Sequence, residues 1–343
     1  MPRKILGECT DIGCWIGELP KGCELCMKGL KSVVFITGLC PERCYYCPLS
    51  LARKNKDVIY VNEAKVSGID DAVLEAIASR SEGVGITGGD PLVRLGRTVE
   101  FIKEFKSFFG NKFHIHLYTT GILLREEVME KLINAGLDEL RIHVTGSHSW
   151  EALNIARKYP ADLGIENPVI PGSLNFLKQL ILDAEKIGVK FVNLNELEIS
   201  EGNFYSLKAL GLEPKPGSVA VKGSEDTALK LMEWALRQDL SLTIHYCPAI
   251  YKDKYQFRRR MMLRGKATRL PYEDIEEGLV KWIEASRCNT RIKNMLIASE
   301  LAYTNKSSIR ANPKLVATLK KHCKTITYVE AYPTTPRRIL NIM

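Results

Sequence analysis

Gly38-Leu39-Cys40-Pro41-Glu42-Arg43-Cys44-Tyr45-Tyr46-Cys47-Pro48 places three cysteines at C-x3-C-x2-C spacing, directly after the run Val33-Val34-Phe35-Ile36-Thr37. The run is apolar and largely β-branched, and it reads as a buried strand. Cys40, Cys44 and Cys47 can reach three corners of one [4Fe–4S] cube and leave the fourth iron without a protein ligand. Electron-transfer clusters normally take four thiolates, so an open iron points to a further ligand. Three cysteines at this spacing also fit part of a zinc site. The strand before the loop, the aromatic Tyr46 and the glycine pair downstream favour the cluster.

Outward from the loop the pattern alternates strand and helix. Strands are expected over 33–37, 84–87, 114–119, 139–144, 163–170 and 189–197. Helices are expected over 71–79, 97–109, 125–135, 149–158 and 174–187. Such alternation builds a parallel sheet with helices outside. The fold class is α/β, and six strands suggest a partial (β/α)6 TIM-like barrel, in which chemistry sits at the C-terminal strand ends. The pattern weakens at 211–222, where Pro214, Pro216 and Gly217 read as a linker. A helix over 227–237, a strand over 242–246 and a helix over 272–286 follow, then a small α/β tail. The expected organisation is a cysteine-rich N-terminal extension (1–30), a barrel (31–210) and a C-terminal extension (211–343) that is a candidate substrate-binding region.

Val84-Gly85-Ile86-Thr87-Gly88-Gly89-Asp90-Pro91 reads as a second strand ending in a glycine pair, an acid and a proline. Together with the cysteine loop it resembles the radical S-adenosylmethionine (SAM) superfamily. The resemblance implies that the open iron chelates the amino and carboxylate groups of SAM. It also implies that reductive cleavage yields a 5′-deoxyadenosyl radical, which abstracts hydrogen from a substrate. It puts Tyr46 against the SAM adenine and Gly88, Gly89, Asp90 and Pro91 at the SAM amino group, with Asp where Glu is commoner. Later strand ends are then candidates for the remaining SAM contacts: Thr119, His143, Glu166 and Asn195, with Tyr118, Arg141, Asn167 and Asn193 beside them. The paired cysteines Cys23 and Cys26 before the cluster strand, Cys47-Pro48-Leu49-Ser50 after it and Asn193-Leu194-Asn195-Glu196-Leu197-Glu198 extend the likeness over roughly residues 20–205, which resemble an archaeal radical SAM family described as related to pyruvate formate-lyase activating enzyme.

Cys9, Cys14, Cys23 and Cys26 form a second set at C-x4-C-x8-C-x2-C spacing. Four thiolates suit tetrahedral zinc or a second iron–sulfur cluster, with His245 and Cys247 as substitute ligands; four reduced thiols are the plain alternative. Cys288 and Cys323 read as ordinary buried cysteines. In a chain of 343 residues with no signal-peptide core and no apolar run of membrane-spanning length, the ten cysteines suggest metal or cluster binding in the cytoplasm rather than disulfides.

The net charge of +9 is compatible with polyanion partners. Lys252, Lys254, Arg258, Arg259, Arg260, Arg264, Lys266 and Arg269 are interleaved with Tyr251, Tyr255 and Phe257, a composition that suits RNA. It suits equally a solvated basic helix paired with Asp274, Glu276 and Glu277. The substrate ranking is therefore an RNA nucleoside, then a protein residue including that of a glycyl-radical enzyme, then a small metabolite. A reductant such as a ferredoxin or flavodoxin is the implied electron donor, and no membrane partner is expected. The alternative of another class is a non-catalytic iron–sulfur or zinc RNA-binding protein.

Overall fold

The computed structural model describes residues 4–343. They divide into two units, residues 4–76 with 81–256 and residues 77–80 with 257–343.

The first unit is built on one sheet. Its strands are β1 (Leu6–Glu8), β2 (Gly13–Ile16), β3 (Lys31–Phe35), β4 (Ile59–Val61), β5 (Ala64–Val66), β6 (Gly83–Thr87), β7 (His114–Thr119), β8 (Glu139–Ile142), β9 (Asp162–Val169), β10 (Phe191–Glu196) and β11 (Thr243–Cys247). Its helices include α1 (Lys21–Lys28), α2 (Ile69–Ala78), α3 (Leu95–Phe109), α4 (Glu126–Ala135), α5 (Ser147–Ala156), α6 (Leu174–Ile187), α7 (Phe204–Ala209) and α8 (Ser224–Ala235). The strand order is β1-β2-β11-β10-β9-β8-β7-β6-β3-β4-β5. β3 and β6 to β11 pair in parallel. The pairs β1–β2 and β4–β5 flank them antiparallel.

Two expectations change here. β11 is a further parallel strand beside β10, so the barrel run does not stop at residue 210. The stretch to residue 256 belongs with it rather than with a C-terminal extension. β1 and β2 likewise join the same sheet, through β2 on β11, instead of standing apart as an N-terminal extension.

The parallel strands alternate strictly. Val34, Val84, Ile86, Ile115, Leu117, Leu140, Ile142, Ile165, Val192, Leu194 and Ile244 are fully buried in the main apolar core with helix residues such as Phe101, Leu132 and Leu180. The intervening positions carry His114, His116, Tyr118, Glu139, Arg141, Glu166, Asn193, Asn195, His245 and Cys247. With a period of two, one face packs under helices and the other is polar. The sheet wraps around α1 on that polar face: α1 packs on β3, β6 and β7. From the same helix, Cys23 reaches Arg141 of β8 and Asn193 of β10. A single helix touching strands this far apart requires a curved, barrel-like sheet.

The second unit contains α9 (Arg258–Thr268), β12 (Asp274–Glu276), β13 (Leu279–Cys288), α10 (Thr290–Ala298), β14 (Ala302–Asn305), β15 (Ser308–Ala311), α11 (Val316–His322), β16 (Cys323–Tyr332) and β17 (Arg338–Ile342). Its sheet order is β14-β15-β13-β16-β17, with β12 on β13. The helix expected over 272–286 is a hairpin instead. Glu277 and Gly278 both take positive φ, 54° and 85°, which is the requirement of a tight two-residue hairpin turn. Cys288 and Cys323 are joined as a disulfide rather than held as separate thiols.

Leu117 lies in the middle of the apolar face, fully buried. Leu117→Ala is expected to cost about 2–5 kcal/mol in a denaturant titration of the folded chain.

Candidate cofactor site and the polar barrel face

After β3 the chain keeps to the side of β6. Ile36 donates its N–H to the Thr87 carbonyl (2.8 Å), Gly89 to Thr37 (2.7 Å) and Asp90 to Leu39 (2.8 Å). A Cβ on Gly88 would stand 2.4 Å from the Thr37 oxygen, and one on Gly89 2.4 Å from the Leu39 oxygen. No side chain fits there, which is the physical reason for the glycine pair. The cysteine loop and the Gly-Gly-Asp-Pro strand end are thus one backbone-locked structure.

Other segments pin the loop. The Thr37 hydroxyl donates to Asp57 (2.9 Å), which also accepts from Arg94 (2.9 Å) and Arg97 (2.7 Å). Hydrogen bonding from Arg97 and Arg94, against some desolvation, holds the Asp57 carboxyl well below the usual range. On the far side Asn203 donates to the Tyr46 carbonyl (2.9 Å), and Leu51 donates its N–H to Glu201 (2.9 Å). Asp57, Glu201 and Asn203 are isolated polar loop residues, and no motif in the sequence marks them.

Cys40, Cys44 and Cys47 are free, partly exposed thiols on this loop. Burial pushes the Cys40 thiol up to about 11 and raises that of Cys44, so both rest protonated until iron displaces the proton. Three reduced thiols on a loop pinned at both flanks fit a cluster with one open iron. Beside them lies a cleft of about 340 Å³ lined by Glu42, Cys44, Tyr46, Thr145, Pro168 and Phe176, a size suited to a small ligand.

Tyr46, His143, Glu166 and Asn195 are brought together. His143 Nδ1 faces the Glu166 carbonyl at 2.8 Å and must donate to it. Its Nε2 therefore accepts the Tyr46 hydroxyl (2.9 Å), which fixes the tautomer. Burial lowers the His143 pKa and keeps the ring neutral. Glu166 accepts from Asn195 (2.8 Å), Asn193 (2.9 Å) and Arg141 (2.8 Å). Burial opposes its charge, but Arg141 and the asparagines outweigh it and hold the carboxyl low.

Asp90 and Thr119 are bonded to each other. The Asp90 carboxylate is fully buried. It accepts from the Thr119 hydroxyl (3.0 Å), the Thr120 N–H (3.0 Å) and hydroxyl (2.6 Å), and the Leu92 N–H (3.0 Å). It caps the short turn that begins at Pro91 and ties β6 to the end of β7. Asn167 is likewise satisfied, by both backbone groups of Val144.

The four N-terminal cysteines do not assemble. Cys9 and Cys14 form a disulfide across the β1–β2 hairpin, while Cys23 and Cys26 are free. Cys14 pairs opposite Tyr246 and packs in the apolar core; Cys23 points to the polar face. Cys23 Sγ accepts from Asn193 Nδ2 (3.2 Å) and an Arg141 nitrogen (3.4 Å). Burial pushes this thiol up, but Arg141 and His245 outweigh it and bring it down to about 7. Nearby, burial raises the Cys247 thiol.

Much of the basic stretch is engaged within the chain. Lys252 pairs with Glu198 (2.5 Å) and Arg258 with Glu277 (2.5 Å), and buried Arg264 donates to the Pro333 carbonyl.

The sequence profile of the Radical SAM superfamily matches residues 34–162. A Methanocaldococcus jannaschii protein described as "Putative glycyl-radical enzyme activating enzyme" is 45% identical over 276 residues, covering 77% of this chain and 72% of that protein. The GTP 3′,8-cyclase of Alkaliphilus oremlandii is 31% identical over 173 residues, 50% of this chain and 48% of the cyclase. The crystal structure of Streptococcus suis SuiB bound to S-adenosylmethionine aligns with a TM-score of 0.46 at 10% identity, over 64% of this chain and 50% of SuiB. The chain therefore spans about half the length of the latter two.

The depressed Cys23 thiol has a consequence for stability. Its folded value, about 7, lies below its ordinary 9.0. The thiolate's contribution is thus complete above pH 9 and is lost as pH falls through 7. Folding free energy measured against pH should rise by about 2 kcal/mol across that interval, and Cys23→Ser should flatten the rise.

Proposed function

The chain belongs to the radical SAM superfamily, and from that premise we propose that it is an activating enzyme that draws a hydrogen atom from a protein partner. The observation that carries this reading is the 45% identity to the M. jannaschii protein over 77% of the chain. The chain is a radical SAM enzyme; the protein substrate is the proposed part.

Cys40, Cys44 and Cys47, on the loop that follows β3, would hold a [4Fe–4S] cluster that takes SAM as its further ligand. When bound, the two supply a 5′-deoxyadenosyl radical that abstracts hydrogen from the substrate. The residues of this chain do the positioning. Gly88 and Gly89 let the backbone approach closely, and Tyr46, with its hydroxyl committed to His143, offers a ring of fixed orientation to the adenine. The Glu166 carboxylate, held by Arg141, Asn193 and Asn195, is a fixed negative charge on the polar face. A flavodoxin or ferredoxin would be the reductant.

An RNA nucleoside, ranked first from the sequence, gives way to a protein here. The basic stretch that motivated it is partly consumed by Glu198, Glu277 and the Pro333 carbonyl.

The test uses anaerobically reconstituted, reduced protein. 5′-Deoxyadenosine should accumulate with the wild type and fall to background in Cys44→Ala. Adding a glycyl-radical enzyme should yield a protein-borne radical doublet by electron paramagnetic resonance. SAM cleavage that RNA stimulates and protein does not would overturn the protein-substrate reading. Cleavage surviving in Cys44→Ala would overturn the cluster assignment.

A further inference from the structure

At the start of β7 and β8, opposite the cysteine loop, three residues on the polar face have unmet bonding capacity. His114, His116 and Glu139 are all buried. One ligand atom from each lies within 4.8 Å of the other two. His114 Nε2, His116 Nδ1 and Glu139 Oε2 are each buried without a hydrogen-bond partner, although His114 Nε2 and Glu139 Oε2 stand 3.5 Å apart. A single orphaned buried polar atom is uncommon and costly. Three converging on one point call for a common partner.

The other atoms of two of these side chains are already engaged. Glu139 Oε1 accepts from Arg141 Nε (2.5 Å), leaving Oε2 as the oxygen without a hydrogen bond. His116 Nε2 faces the Tyr118 hydroxyl at 3.3 Å, leaving Nδ1. A Cβ at position 22 would stand 2.7 Å from His116 Nδ1 and 2.8 Å from an Arg141 nitrogen, so only glycine lets α1 pack over this pair without crowding that nitrogen.

We propose that His114, His116 and Glu139 form a binding site for one divalent transition-metal ion, zinc in the first instance, separate from every cysteine of the chain. Two imidazole nitrogens and one carboxylate oxygen are a ligand set that zinc accepts, with a fourth position left over. Calcium and magnesium prefer sets made of oxygen alone. Arg141 and Lys31 lie near His116, and the carboxylates of Glu139 and Glu166 offset them. The site joins β7 to β8 beneath α1, so its ion is a structural tie at the end of the barrel remote from the radical chemistry. Neither the cysteine spacings nor the radical SAM motifs bear on it.

The experiment takes the reconstituted holoprotein, strips loosely held metal with a chelator, adds zinc chloride under nitrogen and desalts. Iron and zinc are counted in the same sample by elemental analysis, and melting is followed by circular dichroism. The expected result is one zinc per chain beside an unchanged iron count, with a higher melting temperature than in the zinc-free sample. Glu139→Gln and His116→Gln should each weaken zinc binding by about tenfold or more, while Cys23→Ser/Cys26→Ser should keep it. Absence of zinc from the folded wild type would overturn the site. So would zinc retained in both ligand variants, or lost in the cysteine double variant. Should a ligand variant fail to fold, the wild-type count and the cysteine variant still decide.

Discussion

Two main-chain hydrogen bonds, from Gly89 to Thr37 and from Asp90 to Leu39, hold the working end of this molecule in register. Each is worth only about 1 kcal/mol net, but they fix geometry that no side chain could fix as tightly. They extend the β3–β6 pairing past the last residues of both strands and so carry the order of the sheet into the cysteine loop. The absent Cβ atoms at Gly88 and Gly89 are what permit the approach. Asp90 then clamps the same strand end to Thr119 and Thr120. Sheet pairing thus sets where the cysteine loop begins, and the bonds from Asn203 and Glu201 hold its far side.

The barrel inverts the usual polarity of a parallel sheet. Its helix-covered face is mostly aliphatic, while the enclosed face carries imidazoles, amides, carboxylates and a guanidinium. Buried polar groups are tolerable only when bonded, and most are here. Arg141 alone engages Glu139, Glu166, Tyr118 and Cys23. The upper half of this network orients His143 and Tyr46 beside the cleft, and the lower half contains the orphaned His114, His116 and Glu139 atoms. One chain of contacts thus spans the barrel from the cofactor end to the opposite end.

The cysteine loop and the parallel strands could be read directly, because spacing and period-two alternation are local properties. The face on which a cysteine lands is not local. Cys14 and Cys23 lie close in sequence, yet β2 sends one into the apolar core while α1 sends the other to the polar face. Asp90 was ambiguous for a different reason: an acid at a strand end reads equally as a ligand or as a cap. Between Tyr272 and Ser286 the residues Tyr272, Ile275, Leu279 and Ile283 have helical spacing, and only the positive-φ pair Glu277-Gly278 reveals a hairpin. β4 and β5, at three residues each, are too short for alternation to register.

The short hairpins at either end of the sheet bear on how the chain behaves in company. An open parallel sheet would present two rows of unpaired amides and carbonyls, each an invitation to another strand. Here the outermost strands, β1 and β5, are only three residues long. Cys9, the residue after β1, is also cross-linked to Cys14 of the neighbouring strand. Little edge remains on this sheet for pairing with a strand of another chain.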